Sequence, residues 1–314
     1  MAGREAINLN RYSDLASWCE TFEWEFQGRQ IESGVLEASI SSYTGKHTHL
    51  HQTQLNKRLH QRGASTNDWV HFAIVFDQGR LVWRRNDLAC ESLLNFNDPQ
   101  GIDAVSENCF TAFIISSDSS RLQQSAQLLG LDVEVERFFT ESAFNTMSGD
   151  KVTLLRRRMQ QLQSMLQRVP LAANSIAAIE EIDGNLPMQL LHTLAETEET
   201  HHPLAAPVRG NVLGRALEYI DHHANEPITV QHLCQETAVS WRTLERAFRN
   251  HFQITPKAYL KFVRLNGVRQ ALLSAHTSDK VLDLAYRWGF WHSGQFASDY
   301  RKHFGELPTQ TLRK

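Results

Sequence analysis

Three arginines share one side of a predicted helix in the C-terminal third of this 314-residue chain. In the stretch SWRTLERAFRNHF, Leu244, Phe248 and Phe252 recur every four residues, which places them on a common helix face. A guanidinium carries a planar fork of donors that holds a phosphate, or two base-edge acceptors such as guanine O6 and N7. The face opposite the apolar residues therefore has the chemistry to bind a polyanion. It consists of Arg242, Thr243, Arg246, Arg249 and Asn250.

A second predicted helix repeats this arrangement in WGFWHSGQFASDYRKHFGELP, residues 288–308. Its aromatics Phe296, Tyr300 and Phe304 again lie four residues apart, and the one acid, Asp299, lies at the margin of the opposite face. On that face the glutamine suits an adenine edge, the serine suits several edges, and the two terminal cations suit the DNA backbone. The face consists of Gly294, Gln295, Ser298, Arg301 and Lys302.

The two helices belong to a repeated unit of helix, short turn, helix and proline stop. Leu233 and Leu284, which end the apolar stripes of the preceding helices, are 51 residues apart. The aromatic sets that begin at Leu244 and Phe296 are 52 residues apart. This pattern predicts two helix-turn-helix units, at about 229–252 and 280–304, whose second helices enter the major groove.

The turns and the connector define how each unit is built. Each turn offers a serine, Ser240 or Ser293, as the predicted N-cap of the second helix. The stretch PKAYLKFVRLNGVRQALL, residues 256–273, is predicted as a helix that joins the units. Two reading helices on one face of B-DNA must lie roughly 34 Å apart, so one chain could contact successive major grooves.

Charge and composition also separate the C-terminal third, which contains the two predicted units, from the rest of the chain. Residues 211–314 hold 14 Lys and Arg against 9 Asp and Glu, whereas residues 1–210 hold 18 against 26. The segment AETEETHHPLAAPVRG, residues 195–210, has no periodicity and two closely spaced prolines, so it is predicted as a linker. We therefore expect one domain at 1–194 and a DNA-binding domain at 211–314.

Residues 1–194 change from strand-like to helix-like patterns. Short β-branched and aromatic runs between about Gly34 and Ser116 predict a small barrel or sandwich. The later stretch VTLLRRRMQQLQSMLQRV contains a short heptad seam, for which packing on its own domain and contact between subunits are both open. We favour dimerisation through this seam, whose members are Leu155, Met159, Leu162, Leu166 and Val169.

Residues 211–312 resemble the DNA-binding domain of the AraC/XylS family of bacterial transcription regulators. The resemblance is carried by SWRTLERAF, by the connector KFVRLNGVRQALL after Pro256, and by LAYRWGFWHSGQFASDYRKHFGELP. The Gly-Phe-Trp-His turn is similar to the ethanolamine-operon regulator subgroup. By this resemblance Arg242 and Arg246 match base-contacting positions, and Gly294 and Ser298 match the corresponding positions of the second unit. Many relatives carry larger polar side chains there, so we expect the second helix to position the protein more than to specify sequence.

The resemblance also implies the fold, the partners and, for the domain at 1–194, effector sensing and dimerisation. The predicted fold class is α+β, with an N-terminal small cupin-like β-barrel, a helical dimerisation segment, and a C-terminal all-α domain with two helix-turn-helix units. The implied function is a sequence-specific transcription regulator, an activator as is usual in the family. Its implied partners are double-stranded promoter DNA, RNA polymerase, a second copy of the chain and a small-molecule effector.

Three alternating histidines support a competing hypothesis, a metal-binding cupin-type sensor or enzyme. His47, His49 and His51 would point to one side of a strand, and metal-dependent cupins use a His-x-His pair with a downstream carboxylate and a third histidine. The next carboxylate here is Asp68, and no glutamate follows at short spacing. We therefore expect neutral histidines, no metal, no cofactor and no enzymatic activity.

Cysteine spacing and hydropathy argue against other classes of protein. A DNA-repair methyltransferase fused to such a domain would need a compact four-cysteine zinc site, and Cys19, Cys90 and Cys109 are too dispersed. With Cys234 they are expected to be reduced thiols. No run of 18 apolar residues exists, and MAGREAINLNRY has no apolar core of the kind a secretory signal needs. We expect a cytoplasmic protein without a membrane span.

Overall fold

The computed structural model divides the chain into two compact units. The N-terminal unit consists of Met1–Gln27, Glu37–Asn56 and Gln61–Leu204, and the C-terminal unit of Gly28–Leu36, Lys57–His60 and Ala205–Lys314. Of the predicted linker, Ala195 and Glu196 end a helix, and 197–210 lie outside the described residues. The structure describes residues 7–12, 15–19, 25–65, 68–76, 81–84, 86–88, 92–97, 101–140, 146–147, 149–168, 180–196, 212–276 and 279–313.

The strands form two antiparallel sheets. One sheet has the order β1-β3-β4-β11-β6-β9-β12, and the other has the order β2-β5-β10-β7-β8. The described strands are β1 (Ile7–Tyr12), β2 (Glu25–Gln30), β3 (Ala38–Thr44), β4 (Thr48–Leu55), β5 (Leu59–Ala64), β6 (Trp69–Val75), β7 (Leu81–Trp83), β8 (Asn86–Leu88), β9 (Leu93–Asn95), β10 (Ile102–Ser106), β11 (Phe110–Asp118) and β12 (Thr146–Met147).

The closed barrel expected from the sequence is not what the described strands form. Neither sheet closes on itself among these strands, and the edges are β1 and β12 in one sheet and β2 and β8 in the other. The two sheets face each other across an apolar cavity that is lined by Trp83 and Ala104 from one sheet and Phe110 and Ile114 from the other. Short alternating strands are compatible with both architectures, and edge pairing, which the pattern does not encode, decides between them.

Helices cover the outer face of the seven-stranded sheet in the N-terminal unit. Val152 of one helix and Leu190 of another join Phe72 and Ile115 of the sheet in a single buried cluster. The described helices of this unit are α1 (Leu15–Cys19), α2 (Ser119–Leu128), α3 (Arg137–Thr140), α4 (Asp150–Arg168) and α5 (Leu186–Glu196), with a π-helical turn at Glu181–Asn185 immediately before α5.

The predicted dimerisation seam lies on α4 and faces the core of its own unit. Leu155, Met159 and Leu162 are at most 3% exposed and belong to the cluster that contains the sheet residues. They are therefore not available for a subunit contact, and that expectation is wrong for these three residues. A heptad spacing only shows that one side of a helix is apolar, and here the sheet covers that side. The side chain of Leu166, and Val169 altogether, lie outside the described residues.

The C-terminal unit is helical, as predicted. Its connector helix begins at Pro256 and ends at Leu273, the bounds expected from the sequence. No helix among the described residues is long and apolar enough to cross a membrane. The helices of this unit are α6 (Val212–His222), α7 (Val230–Thr237), α8 (Trp241–Phe252), α9 (Pro256–Leu273), α10 (Val281–Arg287), α11 (Ser293–Phe304) and α12 (Pro308–Thr311).

The two helix pairs α7–α8 and α10–α11 begin their second helices differently. Ser240 is the N-cap of α8, and its side chain accepts the backbone N–H of Thr243 at 3.3 Å. In the second pair the expectation is wrong, because the N-cap is His292, without a side-chain cap hydrogen bond, and Ser293 is already the first helical residue. The longer second turn places its serine one position too far along the chain to cap.

Two short segments from the first sixty residues pack into the C-terminal unit. The Asn266 side chain of α9 accepts the backbone N–H of Gln30 at 3.1 Å and donates to its carbonyl at 3.0 Å. The carbonyl of His303 in α11 accepts the N–H of Gly34 at 2.9 Å, and Arg58 donates to the carbonyl of Phe252 at 3.0 Å. The bonds to Phe252 and His303 hold the C-terminal ends of α8 and α11, and those to Asn266 hold α9.

Candidate nucleic-acid interface

The basic face of α8 is exposed opposite a fully buried stripe. Leu244, Phe248 and Phe252 have no exposed surface, and Phe252 stacks against Tyr259 of α9 with ring centroids 4.5 Å apart. The predicted reading residues lie on the other side, where all but the half-buried Thr243 are exposed. They are Arg242, Thr243, Arg246, Arg249 and Asn250.

The one acid near this face is neutralised within the helix. Glu245 accepts Arg249 Nε at 2.9 Å and the indole N–H of Trp241 at 3.2 Å, so the three side chains form a row at four-residue spacing. The row runs beside Arg242 and Arg246. Because the carboxylate charge is compensated at close range, the face presents net positive charge to an approaching phosphate. The pairing also means that Arg249 is engaged by the acid, whereas Arg246 lies one position outside the row and is exposed.

The face of α11 is exposed but carries shorter side chains. Gly294, Gln295, Ser298, Arg301 and Lys302 are all exposed, opposite the buried Phe296 and Tyr300. A side chain at Gly294 would meet no atom within 4 Å, so the space around this position is open. Asp299, the acid at the margin, is bound to Lys261 of α9 at 3.1 Å. Both acids of the reading helices are therefore paired with a cation.

The connector fixes α11 through close packing and a buried ion pair. A Cβ at Gly267 of α9 would lie 2.2 Å from the ring of Trp288, so this ring requires a glycine beneath it. Arg269 of α9 binds Glu306 at 2.7 Å with both side chains mostly buried, and Thr311 donates to the same carboxylate at 2.8 Å. Two independent contacts thus anchor the second helix pair on α9.

The histidines of the competing hypothesis are separated by the fold. His47 lies in the turn before β4, 4.0 Å from Asp118, whereas His49 and His51 share one face of β4 with ring centroids 6.0 Å apart. Burial, the largest cause, lowers the pKa of His51 to about 4, and it lowers the pKa of His71 to about 3. Both rings are therefore neutral near pH 7, and each Nδ1 lies 2.8 Å from a serine hydroxyl. Within the described residues no group of three or more His, Cys, Asp or Glu could hold a metal ion.

The comparisons with known proteins concern mainly the helical part of the chain. Residues 233–314 match the model of a helix-turn-helix domain. The probable thc operon regulatory protein of Rhodococcus erythropolis is 37% identical over 108 residues, which are 34% of this chain and 32% of that protein. The chain thus spans about a third of that relative, and the likeness describes a domain and not the whole protein.

Two activators of Pseudomonas putida match this chain over a larger share of their own length. The XylDLEGF operon transcriptional activator 2 is 32% identical over 121 residues, which are 38% of this chain and 77% of that protein. The chain belongs to the AraC/XylS family of bacterial transcription regulators. The XylDLEGF operon transcriptional activator 3 aligns with 91% of this AraC/XylS chain and over 85% of its own length, at 25% identity. The likeness to the ethanolamine-operon subgroup stays a prediction.

Some contacts of this AraC/XylS interface could have been found in the sequence, and others could not. The four-residue spacing of Trp241, Glu245 and Arg249 is the normal signal for side-chain pairs along a helix. The pairing of Asp299 with Lys261 joins residues 38 positions apart, for which the sequence gives no local signal. The sequence therefore indicates a pairing for Glu245, whereas that of Asp299 becomes visible only in the fold.

Proposed function

We propose that this protein binds double-stranded promoter DNA through both helix-turn-helix units and activates transcription in the cytoplasm. The observation that carries the proposal is the exposed pair Arg242 and Arg246 on α8, beside a carboxylate that is already paired. A guanidinium in this setting can bind the edge of a guanine without competing for an internal acid. The short polar face of α11 supports a positioning role for the second unit, with Arg301 and Lys302 on phosphates.

Selection of duplexes from a random pool by the full-length protein tests this function. We expect an enriched sequence with one strongly preferred segment and a weaker preference about one helical turn away, because the two helices of one chain would occupy successive major grooves and the second would mainly position the protein. The matched control is a protein with Arg242 and Arg246 both replaced by Ala, which should keep its fold and enrich no sequence. A pool that shows no enrichment with the wild-type protein would contradict the proposal.

Activation is the finer part of the proposal and requires RNA polymerase as a partner. A reporter placed behind an enriched duplex should be transcribed above its basal level when the protein is present. Chromatin immunoprecipitation followed by sequencing should place the protein upstream of the genes that it controls. A reporter that is silenced instead would identify a repressor while leaving the DNA-binding role intact.

A homodimer is also proposed, on a face of α4 different from the heptad seam. Leu154 is 62% exposed and Met165 is 49% exposed, and both lie on the outward side of the helix. Replacing them by Glu should convert a dimer to a monomer in light scattering without unfolding the chain. Met159→Glu is the matched contrast, since it places a charge in the core and should unfold the N-terminal unit. A wild-type protein that is monomeric at micromolar concentration would contradict this part.

A small-molecule effector is proposed to bind an open cleft of about 730 Å³ in the N-terminal unit, whose lining is polar and apolar in about equal parts. Its volume is within the usual range for ligand sites, whereas the apolar cavity between the sheets measures about 30 Å³ and holds little more than one water molecule. The lining includes Asp68, Ser120, Gln123 and Glu134. A thermal-shift screen of small polar compounds should yield stabilising compounds whose effect is lost on Gln123→Trp. Compounds that stabilise wild type and variant equally would place the effector elsewhere.

A further inference from the structure

Two large aromatic side chains stand exposed beside the reading helices. Trp241, the first residue of α8, is 50% exposed, and Trp291, two residues before α11, is 65% exposed. By contrast, Trp18 and Trp83 are at most 1% exposed. Indole rings contribute a large apolar area when they are buried against a partner, so their exposure close to the start of both second helices requires an explanation.

The ring of Trp241 is held in place by its neighbours on α8. Its N–H donates to Glu245, and Glu245 in turn binds Arg249. The polar atom of the indole is therefore satisfied inside the protein, and what the side chain offers outward is its apolar ring. The ring lies at the start of the helix whose exposed row contains Arg242 and Arg246.

Trp291 is supported differently, by another aromatic ring. It stacks on Tyr286 of α10 with centroids 6.0 Å apart and an angle of 19° between the rings. Next to it α11 begins with Ser293 and Gly294, and the space at Gly294 is open. The large side chain that this helix start lacks is thus provided by the preceding turn.

We propose that Trp241 and Trp291 contact DNA, packing their rings against deoxyribose and thymine methyl groups at the border of the major groove. The inference rests on the proposed function and extends it to residues that the arginine rows do not include. DNA is the occupant that fits, because Trp241 adjoins Arg242 and Arg246, and Trp291 precedes the face that ends in Arg301 and Lys302. A phosphate-rich partner satisfies these cations while the rings cover its apolar sugar and methyl surfaces.

An apolar contact has a signature that separates it from a phosphate contact. Removal of a cation that binds phosphate lowers the slope of log affinity against log salt by about one unit. Removal of an indole releases no counterion, so it lowers affinity at every salt concentration by the same factor. Covering about 50 Å² of ring surface corresponds to roughly a tenfold change in affinity.

The test uses the full-length protein, a duplex enriched from a random pool and a scrambled duplex, at several salt concentrations. We expect Trp241→Ala and Trp291→Ala each to weaken binding to the enriched duplex by roughly tenfold with an unchanged salt slope, and the Phe variants to recover most of the loss. Leu128→Ala, which removes an 81% exposed apolar side chain at the end of α2, is the matched control and should have no effect.

Fluorescence quenching by acrylamide provides a second readout in the same samples. Enriched duplex should protect the accessible indole emission of the wild-type protein, and this protection should disappear when both tryptophans are replaced by Phe. Tryptophan variants that bind like wild type, or that change the salt slope, would overturn the inference. Protection that depends on protein concentration without DNA would assign the rings to a contact between copies, and would overturn it as well.

The proposed function and this inference fail in different ways. If the wild-type protein binds neither duplex, the proposed function is wrong. If the wild type binds and Arg246→Ala weakens it while both tryptophan variants bind normally, the function stands and only the inference is wrong.

Discussion

The two helix-turn-helix units share a scaffold and differ in what they present. In both, an aromatic stripe of the second helix is buried against α9, which begins beside the first unit and ends beside the second. The exposed side of α8 carries three arginines, whereas that of α11 begins with Ser293 and Gly294 and gains its cations only near its end. The comparison teaches that the packing positions and the solvent-exposed positions of these helices are separate sets, so one can be kept while the other changes.

The units also differ in backbone strain at corresponding positions. The turn residue after α7 is Ala238 with a φ of 55°, and 51 residues later its counterpart is Gly289 with a φ of 76°. The residue after α8 is Gln253 with a φ of 57°, and its counterpart after α11 is Gly305 with a φ of 78°. Only glycine adopts this region without a steric cost. The first unit therefore carries strain at both places where the second has none.

The largest expected effect is a loss of stability that arises in the second helix-turn-helix unit. Gly267→Ala should lower the free energy of unfolding by about 3 kcal/mol, because a Cβ there would overlap the ring of Trp288, which cannot move without disturbing the core around it. Urea unfolding followed by tryptophan fluorescence measures the change. Gly294→Ala is the matched control, since its Cβ meets open space in a helix, and it should be neutral or slightly stabilising. An unchanged stability in Gly267→Ala would show that Trp288 adapts and would contradict this prediction.

An acid-dependent loss of stability should also arise in the second unit. His303 of α11 is buried beside the carbonyl of Gln30, and burial, the largest cause, lowers its pKa to about 3. The folded state therefore keeps this ring neutral while the unfolded state binds a proton below about pH 6.5. The stabilisation is complete above that pH and is lost as the pH falls toward 3, by about 2 kcal/mol at pH 5.

Replacing the ring removes the contribution of this residue. His303→Gln should make the unfolding free energy less steep against pH between pH 6.5 and pH 5, by the share of one buried histidine, while the shares of the buried His51 and His71 remain. Replacing the exposed His292 by Gln should leave the slope unchanged. Thermal unfolding at matched ionic strength gives both slopes. Identical slopes in wild type and His303→Gln would mean that the ring takes up its proton without cost in the folded state.

The smallest expected effects come from exchanging alanine and glycine at the turns of the two units. Ala238→Gly should raise the free energy of unfolding by up to about 1 kcal/mol, because relief of the left-handed conformation exceeds the entropy that glycine adds to the unfolded chain. Gly289→Ala should lower it by about 1 kcal/mol, since its Cβ would meet only ordinary contacts at 3.7 Å and the cost is confined to the backbone. Two changes of the same sign in urea unfolding would show that the turns are not equivalent.

What the sequence could predict followed from local periodicity. The stripes Leu244–Phe252 and Phe296–Phe304 and the connector 256–273 were predicted correctly, because a 3.6-residue repeat is a property of neighbouring residues. Where the sequence failed, the deciding partner was distant. The seam at Met159 is covered by the sheet, and the turn before β4 is held by Asp183, whose carboxylate accepts the N–H of Lys46 from 137 residues away at 2.7 Å.

The candidate site was likewise predictable in part, where its features depend on neighbouring residues. The polar faces of α8 and α11 could be read from helical spacing, and each lies opposite a buried stripe. The pairing of Asp299 could not, because Lys261 reaches Asp299 only after α9 and α11 have packed together. Exposure of Trp241 and Trp291 was equally hidden, since aromatic residues are usually placed in the core when only their type is known.

The most direct test of the central claim compares one residue from each reading helix. Affinities of the wild type, Arg246→Ala, Gln295→Ala and Lys302→Ala are measured on the enriched and scrambled duplexes at three or four salt concentrations. We predict that Arg246→Ala costs about 1–3 kcal/mol on the enriched duplex and relaxes the preference at one or two positions. Lys302→Ala should weaken both duplexes alike and lower the salt slope by about one unit, with Gln295→Ala between these extremes. If Arg246→Ala weakens both duplexes equally while Gln295→Ala abolishes discrimination, the second helix is the reader and the assignment of roles is reversed.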